Sequence, residues 1–297
     1  MNIKNLLLYL VKLILCGLIY SIGFIAGGMV AAMLHLPQPA LPQGATASSA
    51  ATGLVLASPL MALALALISR RISGGWLTRA LMLWLLTFVS YTLNTLLDAS
   101  LYVTGSSATS PFTIVSALPP SLLIGSAVAW LFPPREKGAG FIAACRAFFN
   151  LRSAGQWLWR LALAALAFMP VYLLFGELVN PFTYQYYQQN MYGLHLATWD
   201  EILPILFLRS VLFLAACLPV IIAWQASERS LLLILGTSLF ILVGLIYMLI
   251  SSWLPLSVRI PHSIEMLADE FVYAALLVWL LRERFPFFQR KPQPVQG

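Results

Sequence analysis

Long runs of apolar residues, separated by short polar segments, dominate the hydrophobic pattern of this chain. The first run covers residues 6–34, and seven more cover residues 50–68, 76–97, 112–132, 156–179, 202–224, 231–253 and 263–281. Each run is close to the roughly 20 residues that an α-helix needs to cross the hydrocarbon core of a bilayer. Prolines inside the runs are expected to kink the helices without ending them. The pattern predicts an all-α fold, a polytopic integral membrane bundle of about eight transmembrane helices.

The composition supports the same class of protein. Of 297 residues, 61% are hydrophobic and only 9% are charged, whereas a soluble domain carries about 25% charged residues. Such a chain has too little charge to cover a surface that faces water, so we expect the lipid bilayer to be its main partner. The apolar run that follows Lys4 is longer than the core of a signal peptide, which favours an uncleaved first helix.

The basic residues indicate the orientation of the helices. Fifteen of the 17 Lys and Arg side chains fall on one side of the predicted bundle, together with both chain termini. Because loops rich in Lys and Arg remain in the cytoplasm, we expect both termini in the cytoplasm and the chain in a plasma or inner membrane. The same bias explains the formal net charge of +7. No nucleic-acid partner is therefore predicted, and other membrane subunits stay open as partners.

The predicted organisation is one transmembrane domain, residues 1–285, followed by a disordered cytoplasmic tail, residues 286–297. Within the domain, two four-helix halves, residues 1–132 and 156–285, flank the segment 133–155. No sequence repeat is evident between the two halves. The segment between them mixes aromatic and basic residues, which predicts a short amphipathic helix at the cytoplasmic membrane surface.

The first predicted helix contains a run of small residues at helical spacing. Gly23, Gly27 and Ala31 are each four positions apart, and this spacing lets two membrane helices approach closely. We expect the close partner to be another helix of the same chain, although dimerisation through this face stays open.

The acidic residues follow a distribution that the positive-inside bias does not explain, because Asp and Glu contribute little to topology. Seven of the ten acids lie in the outer halves of the predicted helices or just beyond them: Asp98, Glu177, Asp200, Glu201, Glu265, Asp269 and Glu270. All three histidines, His35, His195 and His262, are expected on the same side. Ionisable groups within membrane helices are costly and often mark functional sites. We therefore expect a polar, acidic and histidine-containing site in the outer half of the bundle.

The last apolar run carries the strongest polar pattern. His262, Glu265 and Asp269 follow one another at steps of three and four residues, which places them on one face of a helix. Arg209 lies about 12 Å into the sixth predicted helix, at a depth similar to that of Asp269 and Glu270. We predict a charge-assisted pair between Arg209 and one of these two carboxylates. Such a pair can belong to a functional site or can serve only to hold the helices in register.

Two further helices bring polar groups to the same depth. Asn94 and Asp98 lie on the third predicted helix, and Glu177 ends the fifth. A bundle would enclose these groups in one outward-opening cavity, or each would form its own interhelical hydrogen bond. The candidate site residues are Glu265, Asp269, Glu270, His262, Arg209, Glu177 and Asp98. The aromatic loop that follows the fifth helix is expected at the membrane interface, as an aromatic belt or as a lid over the cavity.

No motif with a defined chemistry is present. The GxSxG, Walker A, GxGxxG and HExxH patterns are all absent, which disfavours a serine hydrolase, a nucleotide site and a zinc protease. His262, Glu265 and His195 are the best candidates for metal ligands, but they form no ligand pattern typical of a metal site. The three cysteines are scattered along the chain and show no paired spacing. No metal or cofactor is predicted.

One short segment resembles a family of intramembrane proteases that process CAAX proteins and bacteriocins. Asp200 and Glu201, followed by Arg209, are similar to the paired glutamates and following arginine of that family. The arginine here is eight residues beyond the second acid rather than four, and no later helix carries Phe-x-x-x-His. The chain is therefore not assigned to the family. The resemblance implies, as one alternative, a membrane-embedded enzyme that acts on a lipid or a peptide.

The sequence leaves three classes of function open and does not determine the biochemical activity. The chain can be a permease or ion-coupled transporter, a membrane-embedded enzyme, or a structural subunit of a membrane complex. Transporters usually hold their substrate near the bilayer midplane, whereas the polar residues here are expected in the outer half. This argument favours an enzyme or a binding role at the outer leaflet.

Overall fold

The computed structural model describes residues 2–40, 46–136 and 138–282, and these residues form helices and no strand. Nine helices follow one another along the described residues. Their bounds are α1 Ile3–Met33, α2 Ala47–Ser69, α3 Trp76–Tyr102, α4 Ser110–Leu131, α5 Phe141–Phe149, α6 Ala154–Gln188, α7 Trp199–Ala223, α8 Glu228–Ile250 and α9 Leu256–Leu281. The predicted disordered tail, residues 286–297, lies outside the described residues.

Seven of these helices, α1 to α4 and α6 to α8, are long and apolar enough to cross a membrane. Large apolar side chains cover their outer faces, for example Ile22 and Ile25, which are 65% and 64% exposed. A continuous apolar exterior of this kind is typical of a surface that meets lipid rather than water. The all-α polytopic bundle predicted from the hydrophobic pattern is confirmed.

The eighth long helix, α9, differs from the others because its span contains three carboxyl groups. It begins at Leu256, seven residues before the predicted start at residue 263, and it continues through Pro261. A proline near the start of a helix removes few backbone hydrogen bonds, so the helix can include it. Asp269 consequently lies at the middle of a 26-residue helix, about 20 Å from each end at helical rise.

Helix α6 bends at Ala167 and then continues to Gln188, nine residues beyond the predicted end at residue 179. The helix includes Pro181, although a residue that precedes proline usually avoids the helical conformation. Tertiary packing overrides this preference. The ring of Tyr187, in the last turn, packs edge-to-face on Tyr102 of α3 at a centroid distance of 5.7 Å.

The start of α1 and the end of α9 lie at the same end of the bundle. The Lys12 Nζ in α1 donates a hydrogen bond to the Leu131 carbonyl at the end of α4 (3.1 Å), and Arg282, just after α9, donates to the Trp224 carbonyl (2.7 Å). We call this the basic end, and it also holds Arg70, Arg71, Arg79, Arg135 and Arg152. This arrangement agrees with an even number of long helices.

Two loops meet at the basic end and form what we call the loop pair, residues 70–75 and 224–227. The Ser73 amide donates to the Ala223 carbonyl at 2.8 Å, and the Gln225 amide donates to the Arg71 carbonyl at 2.9 Å. Between these two bonds, Ile72 faces Trp224 in an isolated antiparallel bridge. The loop pair joins the α2–α3 connection to the α7–α8 connection.

The segment between α4 and α6 contains the expected short helix. In α5, Phe148 is buried and its ring lies 4.6 Å from that of Trp157, whereas Ile142 is 77% exposed. The helix packs against α7. The face of α5 that carries Phe148 thus packs on the bundle, whereas Ile142 on another face stays exposed.

Two π-helical segments interrupt the bundle at neighbouring positions. One covers Phe88–Leu93 within α3 and the other covers Phe240–Leu245 within α8, and the two segments contact each other. A π segment inserts an extra residue into a helical turn and is frequent at functional sites. In this bundle each segment leads directly into helical residues that face the cavity described below.

The small residues of α1 pack within the chain, against α4. A Cβ atom at Gly23 would lie 2.8 Å from the Cα of Pro120, and one at Gly27 would overlap the carbonyl oxygen of Ser116. Because the backbones touch, no larger residue fits at either glycine. The close partner of the small-residue face is therefore α4.

We expect Gly27→Ala to lower the free energy of unfolding by about 1–3 kcal/mol, the usual cost of extra volume in a packed interface. Gly28→Ala is the matched control, because a Cβ at Gly28 would meet nothing within 4 Å. The control should leave stability unchanged or raise it, since alanine is the better helix former. Thermal unfolding of both purified variants in detergent measures the difference. Equal melting temperatures would contradict the close packing of α1 on α4.

Candidate functional site

A cavity of about 370 Å³ lies between α3, α6, α7, α8 and α9 and extends to the end of the bundle opposite the basic end. All seven candidate residues from the sequence line it: Asp98, Glu177, Arg209, His262, Glu265, Asp269 and Glu270. Neither Asp200, Glu201, His35 nor His195 is among the lining residues. The described part of the chain thus brings the candidate residues of four helices to one cavity.

Arg209 is the central polar group of this cavity, and its partner differs from the predicted one. Its Nε donates to Asn94 Oδ1 at 2.9 Å and its Nη1 donates to Asp98 Oδ1 at 2.7 Å. The predicted ion pair with Asp269 or Glu270 is wrong: among the described residues, the carboxylate within 4 Å of Arg209 belongs to Asp98. Asn94 and Asp98 are one turn apart on α3, so they present two acceptors that match the guanidinium fork.

Aromatic rings complete the surroundings of Arg209. The guanidinium carbon lies 4.6 Å from the ring centroid of Tyr172 and 5.4 Å from that of Phe168, which adds cation–π attraction in a site with little water. The Tyr172 hydroxyl donates to Asp98 Oδ1 at 3.3 Å and lies 3.4 Å from the Tyr102 hydroxyl. Arg209 is therefore held by α3 and α6 together.

Tyr172 is one of several aromatic cavity residues that sequence reasoning missed. Phe168, Tyr172, Gly176 and Asn180 are four positions apart along α6, and all four line the cavity. This spacing defines one helix face, and it is visible in the sequence. The predicted end of the helix at residue 179 and the apolar appearance of the run concealed it.

A second hydrogen-bonded group lies nearer the mouth of the cavity. His262 Nδ1 is 2.6 Å from Glu265 Oε2, and His262 Nε2 is 3.2 Å from the Tyr187 hydroxyl. The three side chains form a continuous carboxyl–imidazole–phenol series across α9 and α6. Glu177 stands at the rim, where it is exposed and accepts a hydrogen bond from Asn180 at 3.5 Å.

Asp269 and Glu270 lie deeper and have fewer partners. Their side chains are almost fully buried, at 4% and 1% exposure. Among the described residues, Asp269 Oδ1 and Glu270 Oε2 have no hydrogen-bond partner. A buried polar atom without a partner is costly, so each of these oxygens is expected to meet water or a ligand in the cavity.

Three aromatic side chains close the cavity on the side of the basic end. Phe168, Phe213 and Tyr273 are each at most 1% exposed, and their ring centroids are 4.6 to 5.9 Å apart. We call this cluster the aromatic floor. Arg209 lies on its cavity side, over Phe168, so the floor separates the polar residues from the apolar core beneath.

The electrostatic balance of the cavity is acidic. Its lining includes five carboxyl groups, those of Asp98, Glu177, Glu265, Asp269 and Glu270, against the guanidinium of Arg209 and the imidazole of His262. Asp98 is matched by Arg209 and Glu265 by His262. Three carboxyl groups thus remain without a basic partner among the described lining residues. This arrangement can hold a cation or protons.

The weaker sequence hypotheses find no support in the geometry. Within the described residues, no group of three or more His, Cys, Asp or Glu side chains could hold a metal ion. Glu201 accepts hydrogen bonds from the amide and the hydroxyl of Thr198 at 2.8 and 3.0 Å, so it forms a capping box at the start of α7. The acid pair of the protease-like segment therefore lies outside the cavity.

No family model, curated protein or solved structure matches this chain. The roles of its residues are therefore argued from their geometry alone.

Removing Asp98 should destabilise the protein, because Arg209 would stay buried without its carboxylate. We expect Asp98→Ala to lower the free energy of unfolding by about 2–3 kcal/mol, below the full cost of breaking a buried pair, since the Asp98 side chain is 33% exposed. The double variant Asp98→Leu with Arg209→Met should recover most of this loss, because it leaves no unpaired charge. Asp200→Asn, an exposed acid on α7, is the control. Denaturant or thermal unfolding measures the stability of each variant. A double variant less stable than Asp98→Ala would contradict the proposed role of the ion pair.

Proposed function

We propose that this protein is a permease that binds a small organic cation, such as a primary amine or a quaternary ammonium ion, in its acidic cavity. The observation that carries the proposal is the pair of buried carboxyl groups, Asp269 and Glu270, each with an oxygen that has no partner among the described residues. The proposal places the chain in a plasma or inner membrane with its basic end in the cytoplasm, as the Lys and Arg distribution favours.

Charge supports a cation as the ligand. A carboxylate buried in a membrane helix is costly unless a counter-charge or water meets it. Arg209 donates to Asn94 and Asp98 at 2.9 and 2.7 Å, and among the described residues neither Asp269 nor Glu270 forms an ion pair with it. A positively charged ligand would provide the counter-charge that Asp269 and Glu270 lack among the described residues.

The lining supports an organic cation rather than a bare metal ion. Aromatic rings surround the carboxyl groups: Tyr102, Phe168, Tyr172, Tyr184, Tyr187, Trp199 and Tyr247 all line the cavity. Aromatic faces attract ammonium groups through the ring quadrupole, and aromatic cages are a common way to bind them. The volume of about 370 Å³ lies within the range of small-molecule pockets. Metal ions such as Ca²⁺ instead require six or more oxygen ligands.

Depth supports transport. Because α9 begins at Leu256, Asp269 lies halfway along the helix. The sequence had suggested a position in the outer part of the helix. Substrate sites of secondary transporters lie near the bilayer midplane, at the interface of structural halves. Arg209 of α7 meets Asp98 of α3 across the two predicted four-helix halves. A site at this depth favours transport over a role confined to the outer leaflet.

One observation favours an enzyme as a second candidate. Glu265, His262 and Tyr187 form a series in which a carboxyl group orients an imidazole, with contacts of 2.6 and 3.2 Å. A general base is often built in this way. On this alternative the cavity would hydrolyse a lipid or a peptide. Product formation from membrane lipids or added peptides by the wild type, and its loss in His262→Phe, would favour the enzyme over the permease.

Ligand binding tests the proposed permease. We expect purified protein to bind tetramethylammonium, choline or tetraethylammonium, and we expect Asp269→Asn and Glu270→Gln each to weaken the binding at least about tenfold, or about 1.4 kcal/mol. Both variants should keep or raise the melting temperature, because each removes a buried charge without a partner. Isothermal calorimetry, thermal shift and uptake into proteoliposomes give the three readouts.

Asp200→Asn is the matched control, since it removes an exposed carboxylate that does not line the cavity. It should bind and transport the cation as the wild type does. A wild-type protein that binds these cations no better than the Asp269→Asn/Glu270→Gln double variant would overturn the proposal.

A further inference from the structure

Two helices of the second half follow their counterparts in the first half at the same distance along the chain. Helix α2 begins at Ala47 and α7 at Trp199, and α3 begins at Trp76 and α8 at Glu228. The π segments also begin at equivalent positions, 88 and 240. Each of these pairs is separated by 152 positions. The order of four long helices, with a π segment in the third, is thus repeated, and the second and third helices of each half begin in register.

Two polar side chains at helix interfaces recur with the same separation. Ser58 of α2 packs where α1 passes closest, since a Cβ at Gly17 would lie 2.9 Å from its Oγ. Ser210, which is 152 positions later, accepts a hydrogen bond from the Phe168 amide of α6 at 3.2 Å. Tyr20 and Tyr172 form another equivalent pair, and both face the bundle interior. The two halves therefore share polar residues at equivalent helix positions as well as helix order.

The loop pair has the symmetry of a two-fold axis. Ser73 and Gln225 are equivalent positions, as are Arg71 and Ala223. The bond from the Ser73 amide to the Ala223 carbonyl (2.8 Å) and the bond from the Gln225 amide to the Arg71 carbonyl (2.9 Å) are therefore interchanged when the halves are exchanged. Ile72 and Trp224, which face each other between these bonds, are themselves 152 positions apart. Equivalent helices run in the same direction, so the axis lies along the bundle.

The two halves differ at one helix interface, which we call the seam: α1 against α4 in the first half, and α6 against α9 in the second. In the first half, Gly23 and Gly27 bring α1 into backbone contact with α4. The equivalent positions on α6 are Phe175 and Val179, which are too large for such an approach to α9. The cavity lies on this looser side, and the charged residues there replace apolar ones: Arg209 is equivalent to Ala57 and Asp269 to Ala117. The cavity is the open counterpart of the closed α1–α4 seam.

We infer that the chain is a tandem duplication of one four-helix unit and that the loop pair on its two-fold axis is the gate that closes the basic end of the transport path. The inference rests on the proposed function. A cation held at Asp269 can leave towards the basic end only if the aromatic floor and the loop pair separate. Rocking of one half against the other would break both main-chain hydrogen bonds of the loop pair at once. Transporters built from repeats alternate access largely by such rigid-body rocking.

Thiol labelling tests the gate without any ligand. Ile72→Cys and Ile68→Cys are matched variants, since both residues are 0% exposed but only Ile72 belongs to the loop pair. The background replaces Cys16, Cys145 and Cys217 by alanine. If the gate opens, a membrane-impermeant maleimide added at the basic side should label position 72 at least about tenfold faster than position 68. Equally slow labelling of both positions would overturn the inference, whether or not a cation is found to bind.

A cross-link separates the failure of the gate from the failure of the proposed function. In the same background, oxidation of the Ile72→Cys/Trp224→Cys variant should join the loops, because the two residues are bridge partners. Binding of tetraethylammonium should stay within about twofold, uptake should fall at least about tenfold, and a reductant should restore it. Undiminished uptake after complete cross-linking would contradict the proposed gate. Loss of tetraethylammonium binding in every variant would instead count against the permease alone. Each single-cysteine variant under oxidant is the control.

Discussion

A guanidinium buried inside a membrane bundle needs acceptors within the protein, and the way Arg209 finds them determines much of the remaining structure. Asn94 and Asp98 take its donors at 2.9 and 2.7 Å, and the ring of Tyr172 lies 4.6 Å from its guanidinium carbon. This set of contacts joins α7 to α3 and α6. Because Arg209 pairs with Asp98 of α3, the carboxyl groups of α9 form no ion pair with α7 among the described residues, and they line the cavity.

Hydropathy predicted the class of fold and the number of long helices, because a bilayer requires a minimum apolar length whatever the function. It did not predict the partner of Arg209. Helical spacing shows that Asp269 shares a face with Glu265, but no pattern within one helix shows which other helix that face meets. Asp98 was a known candidate, yet depth alone favoured α9. The candidate residues do line the cavity, but the prediction paired α7 with α9 where the structure pairs Arg209 of α7 with Asp98 of α3.

The repeat was also hidden in the sequence, for a physical reason. Positions that face lipid or an apolar core accept many residues of similar size, so two copies can diverge widely and keep the same packing. Identities such as Ser58 with Ser210 and Tyr20 with Tyr172 persist where a hydroxyl lies between helices. Helix starts and π segments preserve the register better than side chains do, because they depend on backbone geometry.

The α1–α4 interface and the α6–α9 interface carry opposite demands, and this contrast agrees with the position of the acidic cavity beside the second one. A buried charge costs stability, and a chain with charged seams on both sides of its axis would bear that cost twice. The glycines of α1 let backbone meet backbone at Ser116, so dispersion contacts there hold the first half rigid. The second half instead places Asp269 and Glu270 against the cavity, where water or a ligand can meet the oxygens that have no partner among the described residues.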